Sequence, residues 1–221
     1  MGIFRPLISK GLEIAPTGVE PSDRIITPAN AMTGARPLLA MKAAEMLIHG
    51  KRHVTPVVFF MGASDAEGNM ARLLDKLVPD WRIGTSVKGA EWDPIADTMG
   101  VIIVGAACLR APRMPIVAKA AVATALGHEG FKVAWAIGKN HDYKDLTGEG
   151  LHIKPTVDGK ESMAEKLLAI GAAVMASDFD NPVARQTLSA TALVLAGTGS
   201  IRAESQRRIY DEQANQMMAE Y

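Results

Sequence analysis

The chain has 221 residues, 48% of them apolar and 22% charged, which is enough for a sizeable core and excludes a disordered composition. Lysine plus arginine and aspartate plus glutamate both number 24, so the net charge is zero and no general basic field argues for nucleic acid as a partner. The single cysteine, Cys108, lies in an apolar run and reads as a small core hydrophobe, which leaves the redox compartment open.

The opening M-G-I-F-R-P-L-I-S-K lacks the uninterrupted apolar core of a signal peptide, and Arg5 and Pro6 weaken its likeness to a myristoylation start. Residues 1–25 read as a short N-terminal juxtamembrane segment. Six helical segments follow, at about 27–50, 54–76, 91–110, 113–137, 161–178 and 182–205, and residues 206–221 read as a cytoplasmic tail. Pro28, Pro94, Pro112, Pro115 and Pro182 fall near first turns, and Gly50 and Gly138 near C-terminal ends. There is no convincing strand pair.

The charge-free runs, the longest being Gln186–Ile201, fall short of the about 20 residues of a spanning helix. Each reaches that length once one or two ionisable groups facing a bundle interior are admitted. With both ends placed inside, lysines and arginines such as Arg72, Lys88, Lys139 and Arg207 concentrate on the cytoplasmic side, as the positive-inside rule expects. The expectation is therefore an all-α, six-helix transmembrane bundle, with residues 26–205 as its membrane domain, integral to the inner (cytoplasmic) membrane. A soluble helical bundle with a carboxylate-bound metal is the other reading of the same pattern.

The chemistry concentrates at two places. In G-A-E-W-D-P-I-A-D, residues 89–97, Gly89, Asp93 and Asp97 recur every four residues and share one helix face, with room beside a hard, oxygen-lined metal site. Acidic residues favoured by a helix dipole are the plainer reading of that face. Upstream, A-S-D-A-E-G-N-M-A-R ends the second segment and brings Asp65, Glu67, Gly68, Ala71 and Arg72 toward the same end.

Together these stretches resemble the CDP-alcohol phosphatidyltransferase family, whose signature is D-x-x-D-G-x-x-A-R followed by G-x-x-x-D-x-x-x-D. The second half is complete here. The likeness extends to I-T-P-A-N-A-M-T-G-A-R at 26–36, similar to the family's N-x-x-T-x-x-R, and more weakly to G-H-E-G at 127–130 and G-K-E-S-M-A-E-K-L-L-A-I at 159–170. Two departures stand out. The family's first acid would fall on Ser64 and is replaced by the neighbouring Asp65, with Glu67 as the second acid, and residues 73–88 form a longer spacer than usual. On an ideal helix Asp65 and Glu67 point about 200° apart, so a bulge that turns Asp65 inward, a reduced metal set, or a catalytically silent member that binds CDP-lipid all stay open.

The resemblance implies a membrane transferase of phospholipid biosynthesis that moves a phosphatidyl group from CDP-diacylglycerol to a phosphorylated polar alcohol and releases CMP, with its active site facing the cytoplasm. It implies Mg²⁺, or Mn²⁺ in its place, on Asp65, Glu67, Asp93 and Asp97, with Asp97 also the catalytic base, and CDP held by Asn30, Thr33, Gly68, Ala71, Arg72 and Gly89. His128, Lys132, Lys160 and Arg202 are weaker candidates for the acceptor's phosphate; interfacial snorkelling is their plainer role. The expected partners are the two substrates, membrane lipid and a second copy in a homodimer. A zinc site at His128, Glu129, His141 and His152 lacks any closed ligand spacing, and G-T-G-S at 197–200 lacks the strand-turn-helix context of a phosphate loop.

Overall fold

Thr27 and Pro28 open the first described helix for a local reason. The Thr27 hydroxyl accepts from the Asn30 amide at 3.1 Å, satisfying one of the donors a helix start leaves without a partner, and proline at the first helical position loses no hydrogen bond. The computed structural model describes residues 27–63, 73, 75–77, 87–150 and 157–219. Helix α1 spans Pro28–Ile48, α2 Val54–Ala63, α3 Val87–Arg110, α4 Ile116–Thr147, α5 Val157–Asp178 and α6 Pro182–Ala219. Residues 73 and 75–77 are helical as well.

The helix ends follow from the residues at them. α1 stops where Gly50 takes a left-handed φ of 62°, letting the Gly50 and Lys51 amides turn back onto Leu47 O at 3.0 Å and Met46 O at 2.9 Å, a glycine-dependent C-terminal cap. α4 ends likewise at Gly148, with φ 78°. α6 begins with the Asn181 side chain accepting from the Val183 amide at 2.9 Å and the Ala184 amide at 3.2 Å, ahead of Pro182 in the first turn.

The chain divides into two units. The first holds the described residues up to Ala43 together with Pro56–Ile103. Its core includes Ala40, Ala43, Met61, Ala96 and Val101, and the Met61 thioether packs against Gly100, 3.5 Å from where a Cβ would stand. The second unit holds Ala44–Thr55 and Val104–Tyr221, and in it α4, α5 and α6 pack on one another. Alanines dominate that core, among them Ala118, Ala121, Ala125, Ala173, Ala192 and Ala196, all fully buried. At Gly199 an added Cβ would sit 3.2 Å from both Glu165 Cβ and the Ser162 carbonyl oxygen, so α5 and α6 touch nearly backbone to backbone.

Every described element is an α-helix, but the membrane-spanning part of the expectation is overturned: among the described residues no helix is long and apolar enough to cross a membrane. Charged residues break up the candidate spans. α3 is interrupted by Lys88, Glu91, Asp93 and Asp97 before its apolar run begins, α4 carries Lys119, Glu129 and Lys132, and α5 carries Glu165 and Lys166. Between Arg185 and Arg202, α6 is largely alanine, threonine, serine and glycine, too polar to supply the missing hydropathy. The transmembrane bundle, the integral inner-membrane location and the inside-outside assignment of its ends are corrected accordingly.

Two helices also outrun their patterns. α4 continues to Thr147 and α6 to Ala219 because their ends hold each other: Lys139 on α4 meets Asp211 at 2.9 Å and Asn215 at 3.0 Å, and Arg207 lies 5.8 Å above the Phe131 ring.

Candidate functional site

In the first unit, α1 carries a buried polar stripe at three-residue spacing. Thr27, Asn30, Thr33 and Arg36 are all at most 8% exposed, an unusual density of polar groups for one helix face. The Arg36 guanidinium donates to Asp97 Oδ1 on α3, closing an ion pair in which the arginine side chain is 3% exposed and the aspartate 23%. This contact joins N-x-x-T-x-x-R to the last acid of G-x-x-x-D-x-x-x-D across 61 residues of sequence. A charge-assisted bond of this kind orients a carboxylate as well as stabilising it. Asp75, 1% exposed, is a further buried acid of this unit that no sequence pattern singled out.

Positions 89, 93 and 97 lie on the unbroken helix α3, where residues four apart are about 5–6 Å apart and share a face. The side chain of Asp93 lies outside the described residues, as do Asp65, Glu67, Gly68, Ala71 and Arg72 in their entirety. Among the described residues no group of three or more histidine, cysteine, aspartate or glutamate side chains gathers to hold a metal; of the four acids expected to do so, only Asp97 has a described side chain. Carboxylates one turn apart remain the donor chemistry a hard cation such as Mg²⁺ takes.

The second unit holds a separate charged layer between α4, α5 and α6. Lys166, completely buried, donates to Glu129 Oε2 at 2.7 Å, and Lys132 reaches Glu129 Oε1 at 2.6 Å. Burial pushes the Glu129 carboxyl up, but hydrogen bonds from Lys132 and Lys166 outweigh it and hold the group below the ordinary glutamate value. Burial pulls Lys166 down, and Glu129 opposes that only in part. The two directions are compatible, since the glutamate faces two ammonium groups and the deeper lysine faces one carboxylate.

One step along, Arg202 on α6 is held by Glu161 and by Glu165, the latter at 3.0 Å, and Ser162 donates to Gly199 O at 2.8 Å. His128 Nδ1 is buried without a hydrogen-bond partner; burial first, and then the Lys166 charge, lower its pKa. Of the four acceptor-phosphate candidates, His128, Lys132 and Arg202 thus belong to one layer, while the Lys160 side chain lies outside the described residues. Glu129 was visible in G-H-E-G and Lys166 in G-K-E-S-M-A-E-K, yet their pairing across 37 residues leaves no trace in local spacing.

Two other groups have a described setting or lie outside it. His141 pairs with Asp145 at 3.1 Å on an exposed surface of α4, and His152 lies outside the described residues. Burial raises the Cys108 thiol to about 12, so it stays protonated and acts as core filler. No protein-family profile matches the chain, and no curated protein or solved structure matches it either.

Proposed function

We propose that this chain is a transferase of the CDP-alcohol phosphatidyltransferase type, moving a phosphatidyl group from CDP-diacylglycerol to a small polar alcohol with release of CMP. The observation that carries this reading is the Arg36–Asp97 ion pair, in which two stretches that resemble that family independently come into contact. The complete G-x-x-x-D-x-x-x-D on one uninterrupted helix supports it further.

In this reading Asp97 takes the proton of the acceptor hydroxyl as its oxygen attacks the phosphorus next to diacylglycerol. The bond from that phosphorus to the bridging oxygen breaks, and CMP leaves with the electron pair. A carboxylate suits this work when it is positioned and partly desolvated, and Arg36 is the positioning residue that holds it. Asn30 and Thr33, on the Arg36 face of α1, and Gly89 on α3 are the positions that the resemblance assigns to the nucleotide. Asp65, Glu67, Asp93 and Asp97 would hold Mg²⁺ or Mn²⁺, which when bound supplies positive charge against the donor's diphosphate.

The test is CMP release from CDP-diacylglycerol in mixed micelles with Mg²⁺ and a panel of alcohols. Asp97→Asn keeps size and loses the proton acceptor, so the rate falls by about 10²–10⁴ while CDP-lipid still binds. Full activity in that variant defeats the mechanism, and a wild-type chain that binds CDP-lipid without turnover replaces the transferase by a silent binding protein.

A further inference from the structure

The second unit carries an open groove that the transferase reading leaves unused. Where α4 and α6 begin, Pro115, Ile116 and Val117 together with Pro182 and Arg185 line a hollow of about 590 Å³. A second hollow of about 570 Å³ continues along α6 past Thr187, Val194 and Leu195, and the two share Gln186 and Ala190. All of these residues belong to the second unit.

One end of this groove is charged and the rest is not. Arg185 reaches from α6 to the turn before α4, where one of its N–H groups donates to the Arg113 carbonyl at 2.7 Å, and among the described residues no carboxylate pairs with it. The acid in the lining, Asp180, is held instead by Arg52 and Arg113, each at 2.8 Å. Its neighbour Asp178 accepts from the Thr55 amide at 2.8 Å and the Thr55 hydroxyl at 2.6 Å. Arg185 is therefore the cation left over at this end. The start of α4 adds to the positive field, because its N-cap, Pro115, offers no side chain to the first amides, and the positive end of the helix dipole lies at the same hollow.

Away from that end the groove is uncharged. Between Arg185 and Arg202 the chain has no ionisable side chain, and Val183, Thr187, Ala190 and Val194 recur at alternating spacings of four and three, which places them on one face of α6. Ile116, Val183 and Val194 are 83%, 71% and 63% exposed, apolar surface that gains by being covered. From Val183 to Leu195 the helix runs about 18 Å, comparable with one acyl chain, which fills half of a bilayer's roughly 30 Å hydrocarbon core. A single cation at the end of an uncharged trough complements a molecule with one anionic head and one apolar tail. A dianionic head fits less well, because Asp180 lies in the same lining, whereas a carboxylate matches the guanidinium fork.

We propose that the α4–α6 groove binds a long-chain carboxylate, with its head on Arg185 and its chain laid along α6 toward Leu195. The residues assigned to transferase chemistry all lie in the first unit, so the two readings stand or fall separately.

The experiment titrates dodecanoate, below its micelle concentration, into the full chain and follows the heat of binding, with octanoate and dodecyltrimethylammonium as comparison probes. Dodecanoate binds saturably, tighter than dodecyltrimethylammonium by about tenfold or more, the order of one charge-assisted hydrogen bond, and tighter than octanoate by about tenfold or more, because the added methylenes are partly buried. Arg185→Gln weakens dodecanoate by about tenfold and leaves dodecyltrimethylammonium unchanged. Ala190→Phe, at an exposed position shared by both hollows, fills the trough and weakens both probes. Absence of saturable dodecanoate binding, equal binding of the two head groups, or dodecanoate affinity unchanged in either variant overturns the proposal. So does a chain that self-associates in sedimentation, is dispersed by Ala190→Phe and binds no dodecanoate, which gives the groove to a second copy. If Arg185→Gln does not fold, the wild-type head-group comparison and Ala190→Phe decide it.

Discussion

Removing the charge of Glu129 exposes how much of the second unit depends on one buried ion pair. Lys166 is completely buried and Glu129 is 4% exposed, so in Glu129→Gln the Lys166 ammonium keeps its desolvation and loses the only carboxylate in contact with it among the described residues. Breaking such a pair from one side costs about 3–5 kcal/mol, because a charge is left buried and uncompensated. Lys132 loses its partner as well, but its side chain is 28% exposed and water replaces most of what it loses. For a chain of this size each kcal/mol moves Tm by about 2–4 °C, so the single variant melts about 6–20 °C lower, a range that follows from those two figures. Glu129→Leu combined with Lys166→Met removes both charges at similar volume and returns stability to near or above wild type, as replacing both partners of a buried pair does. Thermal unfolding followed by far-UV circular dichroism, on Glu129→Gln, on Glu129→Leu and Lys166→Met singly and on the double, checks this. A loss below about 1 kcal/mol in Glu129→Gln, or a double variant whose loss is the sum of the singles, refutes the reasoning, since either means the two charges are not coupled.

The same pair sets a pH dependence. Because the folded-state pKa of Glu129 is depressed, its contribution is present above the ordinary value of 4.5 and is lost as pH falls through the lower folded value; stability measured against pH falls more steeply there in wild type than in Glu129→Gln. Gly199→Ala places a methyl group against the Ser162 backbone carbonyl, which cannot give way, and costs about 1–3 kcal/mol in urea unfolding. Gly105→Ala meets Leu126 Cδ2 and Cδ1 at 2.8 and 2.9 Å and Cγ at 3.0 Å, a tighter contact but with a side chain that can change rotamer where the Ser162 carbonyl cannot move, so its cost is smaller; a reversed order contradicts the close approach of α5 and α6. In the first unit, Arg36→Gln lowers the rate of CMP release with little change in CDP-lipid affinity, and Arg36→Lys restores part of it; an Arg36→Gln variant with wild-type turnover removes its positioning role.

The sequence by itself determined the helices and about half of their ends, because caps and periodicity are local. Thr27-Pro28, Gly50, Asn181-Pro182 and the Gly89-Asp93-Asp97 spacing act within one or two turns of themselves, so reading them requires no knowledge of neighbours. What local pattern misjudged was the meaning of charges inside apolar runs. Lys166 and Glu129 fell inside segments read as membrane spans, and Arg202 at a cytoplasmic end; the tertiary structure pairs Lys166 with Glu129 and Arg202 with Glu161 and Glu165 between packed helices, and among the described residues no helix is long and apolar enough to span. The ends of α4 and α6 likewise depended on Lys139 finding Asp211 across 72 residues, a difference read from their numbers, which periodicity cannot register. The Arg36–Asp97 pair lies between these cases: both residues stood in recognisable motifs, but that one would touch the other was decided only when α1 and α3 packed, since an ion pair depends on distance in space and not along the chain.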